Sequence, residues 1–472
     1  MPEETLTIMQ KAFALNMNCN SYGTIAEIGA GQEVSRCFFR AGGAAGTVAK
    51  TISAYDMSFS DAIYGEEKNK RYVTEKRLKK MLDKEFDLVL ERVSSTRPDT
   101  SIYFAFADTV TARSYSQRGE CHGWMGIKLQ LSSGAEPCDI LIHMRMLDES
   151  NTQQQEAVGI LGVNLIYGAF QFYSRPEQLI RSLGDNLEHG RLEIDMIRFS
   201  GPYFNHIDNR FMALKLVEME LADAVVFGAD QKTLIHPSEL FYNRDIMVMR
   251  GMFKPVTTVC VDMMTNGVEM FSRLPEVRTD NAMSVPEISV AGMRSNNIYD
   301  MQDILNRVDC LNILGYPVIV SNYLRYFRLS EYLSRYTKGK VAFVMGIPNL
   351  EDLFHDAYYK GFKGGIMSAL GTLFDRDTVI FVYPMLQNDD SGDIITTENF
   401  TAPEHLKYFY AHLLDNNKIL PVEKYNDVNM NIWPGDVLEQ IKKGPGQWQA
   451  SIPKDVREEI ITRCMFGFCS KM

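Results

Sequence analysis

Apolar and polar positions alternate along this chain with two different periods. Helical spacing over Thr5 to Asn16 gives way to a short apolar strand, Thr24 to Ile28, and the turn Gly29-Ala30-Gly31 leads back to helical spacing over Glu33 to Phe39. A charged helix is predicted over Thr74 to Arg92. The period then changes. Ser101 to Phe106, Trp124 to Leu131 and Asp139 to Met146 are rich in β-branched, aromatic and aliphatic residues, as strands are. Ser132-Ser133-Gly134 between the last two predicts a hairpin.

From Thr152 onward helix and strand alternate. Helices through Tyr167 and over Glu177 to Leu183 precede a strand at Leu192 to Phe199, and helical spacing over Asn209 to Leu221 precedes short strands at Ala224 to Phe227 and Ile246 to Met249. Strand, helix and strand within about 35 residues predict a crossover unit with parallel strands. The alternation resumes after the polar stretch Ser272 to Asn297, with strands at Pro317 to Val320, Val341 to Met345 and Val379 to Tyr383. The expected fold class is α/β: N-terminal helices with antiparallel strands, followed by Rossmann-like parallel crossover units. The expected divisions are 1–150, 151–275 and 276–400, then a helical region and tail at 401–472.

Composition narrows the partners. The 472 residues carry 60 acidic and 49 basic side chains, a net charge of −11 that repels a phosphate backbone or an anionic bilayer, so no nucleic acid and no membrane partner is expected. The longest apolar run, Val158 to Phe170, is interrupted by Asn164 and falls short of the roughly 20 residues a spanning helix needs. The acidic start MPEETLTIMQ has no signal-peptide character. Cys19, Cys37, Cys121, Cys138, Cys260, Cys310, Cys464 and Cys469 are scattered, which suits free thiols in a reducing compartment. A cytoplasmic protein is expected.

The candidate chemistry begins at Tyr22 to Gly65. A strand ending in Glu27-Ile28-Gly29-Ala30-Gly31 and entering a helix lets backbone amides approach a phosphate or carboxylate closely, and Gly42-Gly43-Ala44-Ala45-Gly46-Thr47 leads to Lys50, a cation for the same anion. Neither glycine cluster completes a dinucleotide or P-loop fingerprint, and close helix packing explains the small residues equally well. Carboxylates at strand ends are further candidates, since α/β sheets bind ligands beyond the carboxyl ends of strands. Asp108 follows SIYFAFA and has Arg113 five residues on; Asp230 follows AVVFGA; Ser321 and Asn322 follow PVIV, with Arg325 and Arg328 in the next helix. Lys50, Arg113, Arg198, Arg250 and Lys254 would make a basic pocket if they converged. Cys121, His122 and Cys138 are three soft ligands without the spacing of a zinc module, and His143 reads as a core histidine.

The blocks AEIGAGQEVSRCFFRAGGAAGTVAKTISAYDMSFSDAIYG, FAFADTVTARSY, ECHGWMGI, QQQEAVGILGVNLIYGAF, IDMIRFSGPYF and VIVSNYLRYFRLSEYLSRYTKGKVAFVMGIP resemble one bacterial family of about this length, nearly end to end. Its members carry two labels, nicotinamide- or nicotinate-nucleotide adenylyltransferase and TonB-dependent receptor. The second implies long runs of alternating strands, which this chain lacks. The first implies nucleotide binding and a His-x-Gly-His turn; the turn is missing, and nucleotide binding through Gly29 to Gly31 stays open.

The expected function is binding of a nucleotide or phosphorylated metabolite, with nucleotidyl or phosphoryl transfer as its enzymatic form. Glu27, Gly29, Gly31, Lys50, Ser321 and Asn322 are the candidate binding residues, with Asp108 and Arg113 the candidate catalytic pair. No metal and no particular cofactor is implied. The alternative is a non-catalytic self-assembling protein. A homo-oligomer is expected, and the apolar tail Met465-Phe466-Gly467-Phe468 must be covered, either by docking within its own subunit or, the reading favoured slightly, by a second subunit.

Overall fold

The computed structural model describes all residues except 1–4, 19, 68–69, 114–119, 292, 294–298, 376, 388–392 and 469–472. The chain is α/β and divides into two compact units, Met1–Asp223 and Ala224–Met472.

Unit 1 is built on a six-stranded mixed sheet. Its strands are β1 (Ser21–Ile28), β2 (Val48–Ile52), β3 (Ile102–Thr111), β4 (His122–Leu129), β5 (Cys138–Met146) and β6 (Leu192–Ser200), in the order β2-β1-β3-β4-β5-β6. β2, β1 and β3 run parallel, and the rest pair antiparallel, including the hairpin expected around Gly134. The N-terminal region therefore holds a parallel edge as well as the antiparallel strands that its residue types announce.

Helices α1 (Ile8–Asn16), α2 (Glu33–Ala41), α3 (Met57–Tyr64), α4 (Glu75–Val93), α5 (Asn151–Gln171) and α6 (Pro176–Leu183) cover the two faces. α5 is apolar almost all round because it is buried between α1, α2 and the sheet. Its Gly162 lies against Val34 of α2 and the ring of Phe106, which fixes Phe106 and Asp108 on the α2–α5 face of β3. Gly126 of β4, paired with Ala107, meets Leu82 of α4, so α4 covers the opposite face.

Unit 2 holds a seven-stranded sheet: β7 (Ala224–Phe227), β8 (Asp245–Arg250), β9 (Ala282–Ser289), β10 (Val318–Ser321), β11 (Val341–Gly346), β12 (Val379–Tyr383) and β15 (Ile419–Pro421). Two short strands, β13 (Met385–Leu386) and β14 (Ile394–Ile395), pair separately. The order is β15-β12-β11-β8-β9-β10-β7, and every pairing is parallel except β7 with β10. Counted from β8, the six parallel strands lie third, second, first, fourth, fifth, sixth reading inward from β10 and out to β15, the doubly wound order, with the chain reversing direction between β8 and β11.

One expected crossover unit is not formed. β6 ends the sheet of unit 1, and β7 is the antiparallel edge of the other sheet, so the two strands do not pair. A four-residue apolar strand is compatible with any buried position, and nothing in Ala224–Phe227 itself selects its neighbour.

The tail is covered by its own unit. Met465, Phe466 and Phe468 are buried, Phe468 meets the ring of Trp448 at 5.9 Å, and Met465 touches Cys310. The expectation of a second subunit over this segment is thereby corrected. The described cysteines Cys37, Cys121, Cys138, Cys260, Cys310 and Cys464 are free thiols, while Cys19 and Cys469 lie outside the described residues. Among the described residues, no helix is long and apolar enough to cross a membrane.

Candidate functional site

The parallel edge of unit 1 gathers most of the candidate residues at the carboxyl ends of β1, β2 and β3. Glu27 and Asp108 are register partners on β1 and β3, side by side on the α2–α5 face, and both are buried. Glu27 turns to the helix that its own turn leads into. Its two oxygens accept from the amides of Val34 at 2.9 Å and Ser35 at 3.0 Å and from the Ser35 hydroxyl, which caps the first turn of α2 where Gln32, at the N-cap position, makes no side-chain cap. Asp108 accepts from the Ile28 amide at 3.0 Å through Oδ1, while its buried Oδ2 has no partner.

Burial pushes the Asp108 carboxyl well above the usual carboxylate range, and the neighbouring Glu27 charge adds to it. Glu27 is also raised by burial, against the pull of Ser35 and the helix amides. Glu27 has those donors and Asp108 has one, so Asp108 holds a proton more tightly than Glu27 does.

The turn after β1 follows from the same geometry. Gly29 has φ 105°, and a Cβ there would lie 1.9 Å from the Val110 carbonyl oxygen of β3, so no other residue fits. Gly31, at φ 82°, donates its amide to the Tyr55 hydroxyl at 3.0 Å. Tyr55 follows β2 and is itself exposed, and Ser53 beside it donates to the Glu27 carbonyl at 2.6 Å. At the end of β3, the Arg113 amide donates to Gln154 of α5 at 2.8 Å and its guanidinium to the Glu149 carbonyl at 2.7 Å. Arg113 is exposed and has no carboxylate partner among the described residues. Gln155, next along α5, stands against Gly31. Gly29 to Gln32, Tyr55, Arg113 and the start of α5 thus form one polar rim above the carboxyl pair.

Lys50 is not on that rim. It is paired with Thr24 in the register, one face away from Glu27, and its ammonium binds the buried Glu85 of α4 at 2.6 Å. Ser321 and Asn322 belong to unit 2. Ser321 is buried at the end of β10, donates to Glu287 and accepts from the Tyr323 amide at 3.1 Å; Asn322 beside it is half-buried. Glu287 also holds Arg250, at the end of β8, at 2.6 and 3.1 Å, while Arg250 donates to the Leu324 carbonyl at 2.8 Å. This cluster stands at the carboxyl edge of the doubly wound sheet, closed by its own ion pair.

Four of the five cations expected to make a basic pocket are neutralised within their own unit. Lys50 is paired with Glu85, Arg198 with Glu75, Arg250 with Glu287 and Lys254 with Asp303, each on its own carboxylate. Asp230 accepts from the amides of Lys232 and Thr233 and shapes a turn. His122 and Cys138 lie opposite Arg145 and Leu129 at the two ends of the β4–β5 pairing, about 24 Å apart at the usual rise per residue, so they share no metal. His143 is a buried core residue whose ring bonds Asp195 at 2.5 Å and His122 at 3.1 Å. Tyr55, Gln154 and Gln155 escaped the sequence reading; a tyrosine following a strand and two glutamines at a helix start carry no distinctive spacing.

No protein-family model matches the chain, and no curated protein matches it. Among solved structures it is similar to the competence/damage-inducible protein CihA from Agrobacterium tumefaciens, at 14% identity and a TM-score of 0.27, over 36% of this chain and 100% of that one. A CinA superfamily protein from Enterobacter cloacae matches at 13% identity and a TM-score of 0.26, over 36% of this chain and 96% of that one. Nicotinic acid mononucleotide adenylyltransferase from Plasmodium falciparum, complexed with APC, matches at 12% identity and a TM-score of 0.28, over 48% of this chain and 99% of that one.

Proposed function

We propose that the protein binds an anionic small molecule, a nucleotide or another phosphorylated metabolite, at the carboxyl edge of β1, β2 and β3. The observation that carries this reading is the rim itself: Arg113, without a carboxylate of its own, and the exposed Tyr55 hydroxyl flank a glycine turn whose Gln32 and Glu33 amides have no partner in the chain among the described residues. Parallel strands deliver ligands to this edge. Glu27 does not face the anion; it holds the Val34 and Ser35 amides and keeps the turn in shape. In the enzymatic form of the reading, Arg113 and the turn amides take up charge on a nucleotidyl or phosphoryl group in transfer.

A thermal-shift screen of nucleotides and sugar phosphates tests the proposal. Ligand at 100 times its Kd adds about 2.7 kcal/mol, and Arg113→Ala removes the shift. A screen in which no anionic metabolite moves the melting temperature, or in which Arg113→Ala leaves the shift intact, overturns it.

Self-association is a second reading, favoured by the exposed Met9, Phe13 and Met17, which succeed one another at four-residue spacing along α1 and its end, and by the exposed Phe39 on the neighbouring α2. Light scattering on the wild type and on Phe13→Glu tests it: a mass unchanged by the substitution removes this face from any interface.

A further inference from the structure

Unit 1 has a second feature that the carboxyl edge does not use. A cleft of about 940 Å³ opens between the C-terminal end of α5, the helix α6 and the start of α1. Residues 175, 178, 182 and 185 on its wall recur at three- and four-residue intervals, so one whole face of α6 and its flanks looks into it, with Arg181 alongside. The opposite wall carries Tyr167 and Phe172, whose rings meet edge to face at 6.0 Å.

The charges of this cleft do not cancel. Asp185 is bound by Lys11 at 2.6 Å, and Lys11 is buried on the floor, where it also donates to Asn164 at 2.8 Å. Glu177 is bound by Lys215 at 3.0 Å. Both carboxylates are thereby spoken for. Arg175 and Arg181 have no carboxylate within ion-pair distance among the described residues, and both are exposed. The Arg175 guanidinium lies 5.3 Å from the centroid of the Phe172 ring, which seats the charge against the aromatic wall. Two uncompensated guanidinium groups in a chain of net charge −11 make a local dianion site beside an aromatic surface.

We propose that this cleft is a second small-molecule site, taking a phosphate monoester that carries a planar ring: the phosphate between Arg175 and Arg181, the ring against Tyr167 and Phe172. It is separate from the carboxyl edge. Gln155 at that edge and Tyr167 here are twelve residues apart on α5, about 18 Å along the helix.

Photolabelling with 8-azido-AMP, with the labelled peptides located by mass spectrometry, tests the site. Label on the segment 163–185 is expected in the wild type and, undiminished, in Arg113→Ala, whereas the double variant Arg175→Ala/Arg181→Ala loses at least tenfold of it. Both arginines are on the surface, so the variant folds; Arg181→Gln alone, with a smaller loss, is the milder form. No label on 163–185, or label unchanged in the double variant, overturns the proposal. Loss of label elsewhere in Arg113→Ala bears only on the carboxyl edge.

Discussion

Glu27 and Asp108 face one another across the β1–β3 pairing as register partners, one carboxyl tied to three donors at the start of α2 and the other left with a buried, unpartnered oxygen. Two acidic groups so placed resist double ionisation, and this governs how the unit responds to pH.

The sign of that response follows from the raised pKa values. A carboxyl whose folded pKa lies above its unfolded value gives stability that is full below the unfolded pKa and lost as pH rises through the folded one. The wild type therefore weakens from about pH 4 upward on account of this pair, and Asp108→Asn, which keeps the acceptor for Ile28 and removes the proton, flattens the curve. Denaturant midpoints at pH 5 and pH 8 measure this. The variant gains on the wild type as the pH rises; a difference independent of pH removes the argument.

Glu27→Ala withdraws the cap from α2 and leaves two buried amides and a hydroxyl without an acceptor. The expected cost is about 2–4 kcal/mol, read from equilibrium unfolding. Ser35→Ala, which loses only the hydroxyl bond, costs about 1 kcal/mol. Equal costs for the two would show that Glu27 does not cap the helix.

Gly29→Ala places a methyl group inside the Val110 carbonyl and is expected to abolish folding of unit 1 or lower its melting temperature severely. Gly42→Ala is the control: it shares a positive φ, 86°, but has open space around it, and costs only its backbone strain of about 1–3 kcal/mol. Soluble yield and melting temperature separate the two.

How far the sequence disclosed this depended on whether a signal is local. The strands and most helices are legible because burial leaves an apolar period, and the glycine turn after β1 is legible because Gly29 answers a steric demand of its own backbone. Glu27 and Asp108 are visible as polar residues at strand ends, but their adjacency comes from parallel pairing of β1 with β3, strands far apart in the chain, which no local period records. Lys50 follows the second glycine cluster, which in sequence points it to the anion site; the alternation of faces along β2 sends it across the sheet to Glu85. Arg250 and Glu287 show the same limit in unit 2, since their ion pair exists only once β8 and β9 are neighbours.

That ion pair makes its own prediction. Glu287 is fully buried, and Glu287→Gln leaves the Arg250 guanidinium enclosed with a neutral partner, at a cost of about 3–5 kcal/mol. The double variant Arg250→Met/Glu287→Leu removes both charges and recovers most of the loss. Unfolding free energies for the single and double variants close the cycle, and a double variant as weak as the single one means that packing rather than charge is at stake.

The last prediction concerns the tail. Phe468 is buried against Trp448, and Arg463 binds Asp309 at 2.7 Å, so the segment from Arg463 to Phe468 packs on the core of unit 2. Phe468→Ala removes a buried ring and costs about 3–5 kcal/mol. Truncation after Thr462 uncovers Cys310 and Trp448 together and lowers the melting temperature further. Neither change alters the number of subunits that light scattering reads in the protein that remains folded. A truncated protein that keeps its melting temperature but loses subunits would return the tail to an intersubunit role.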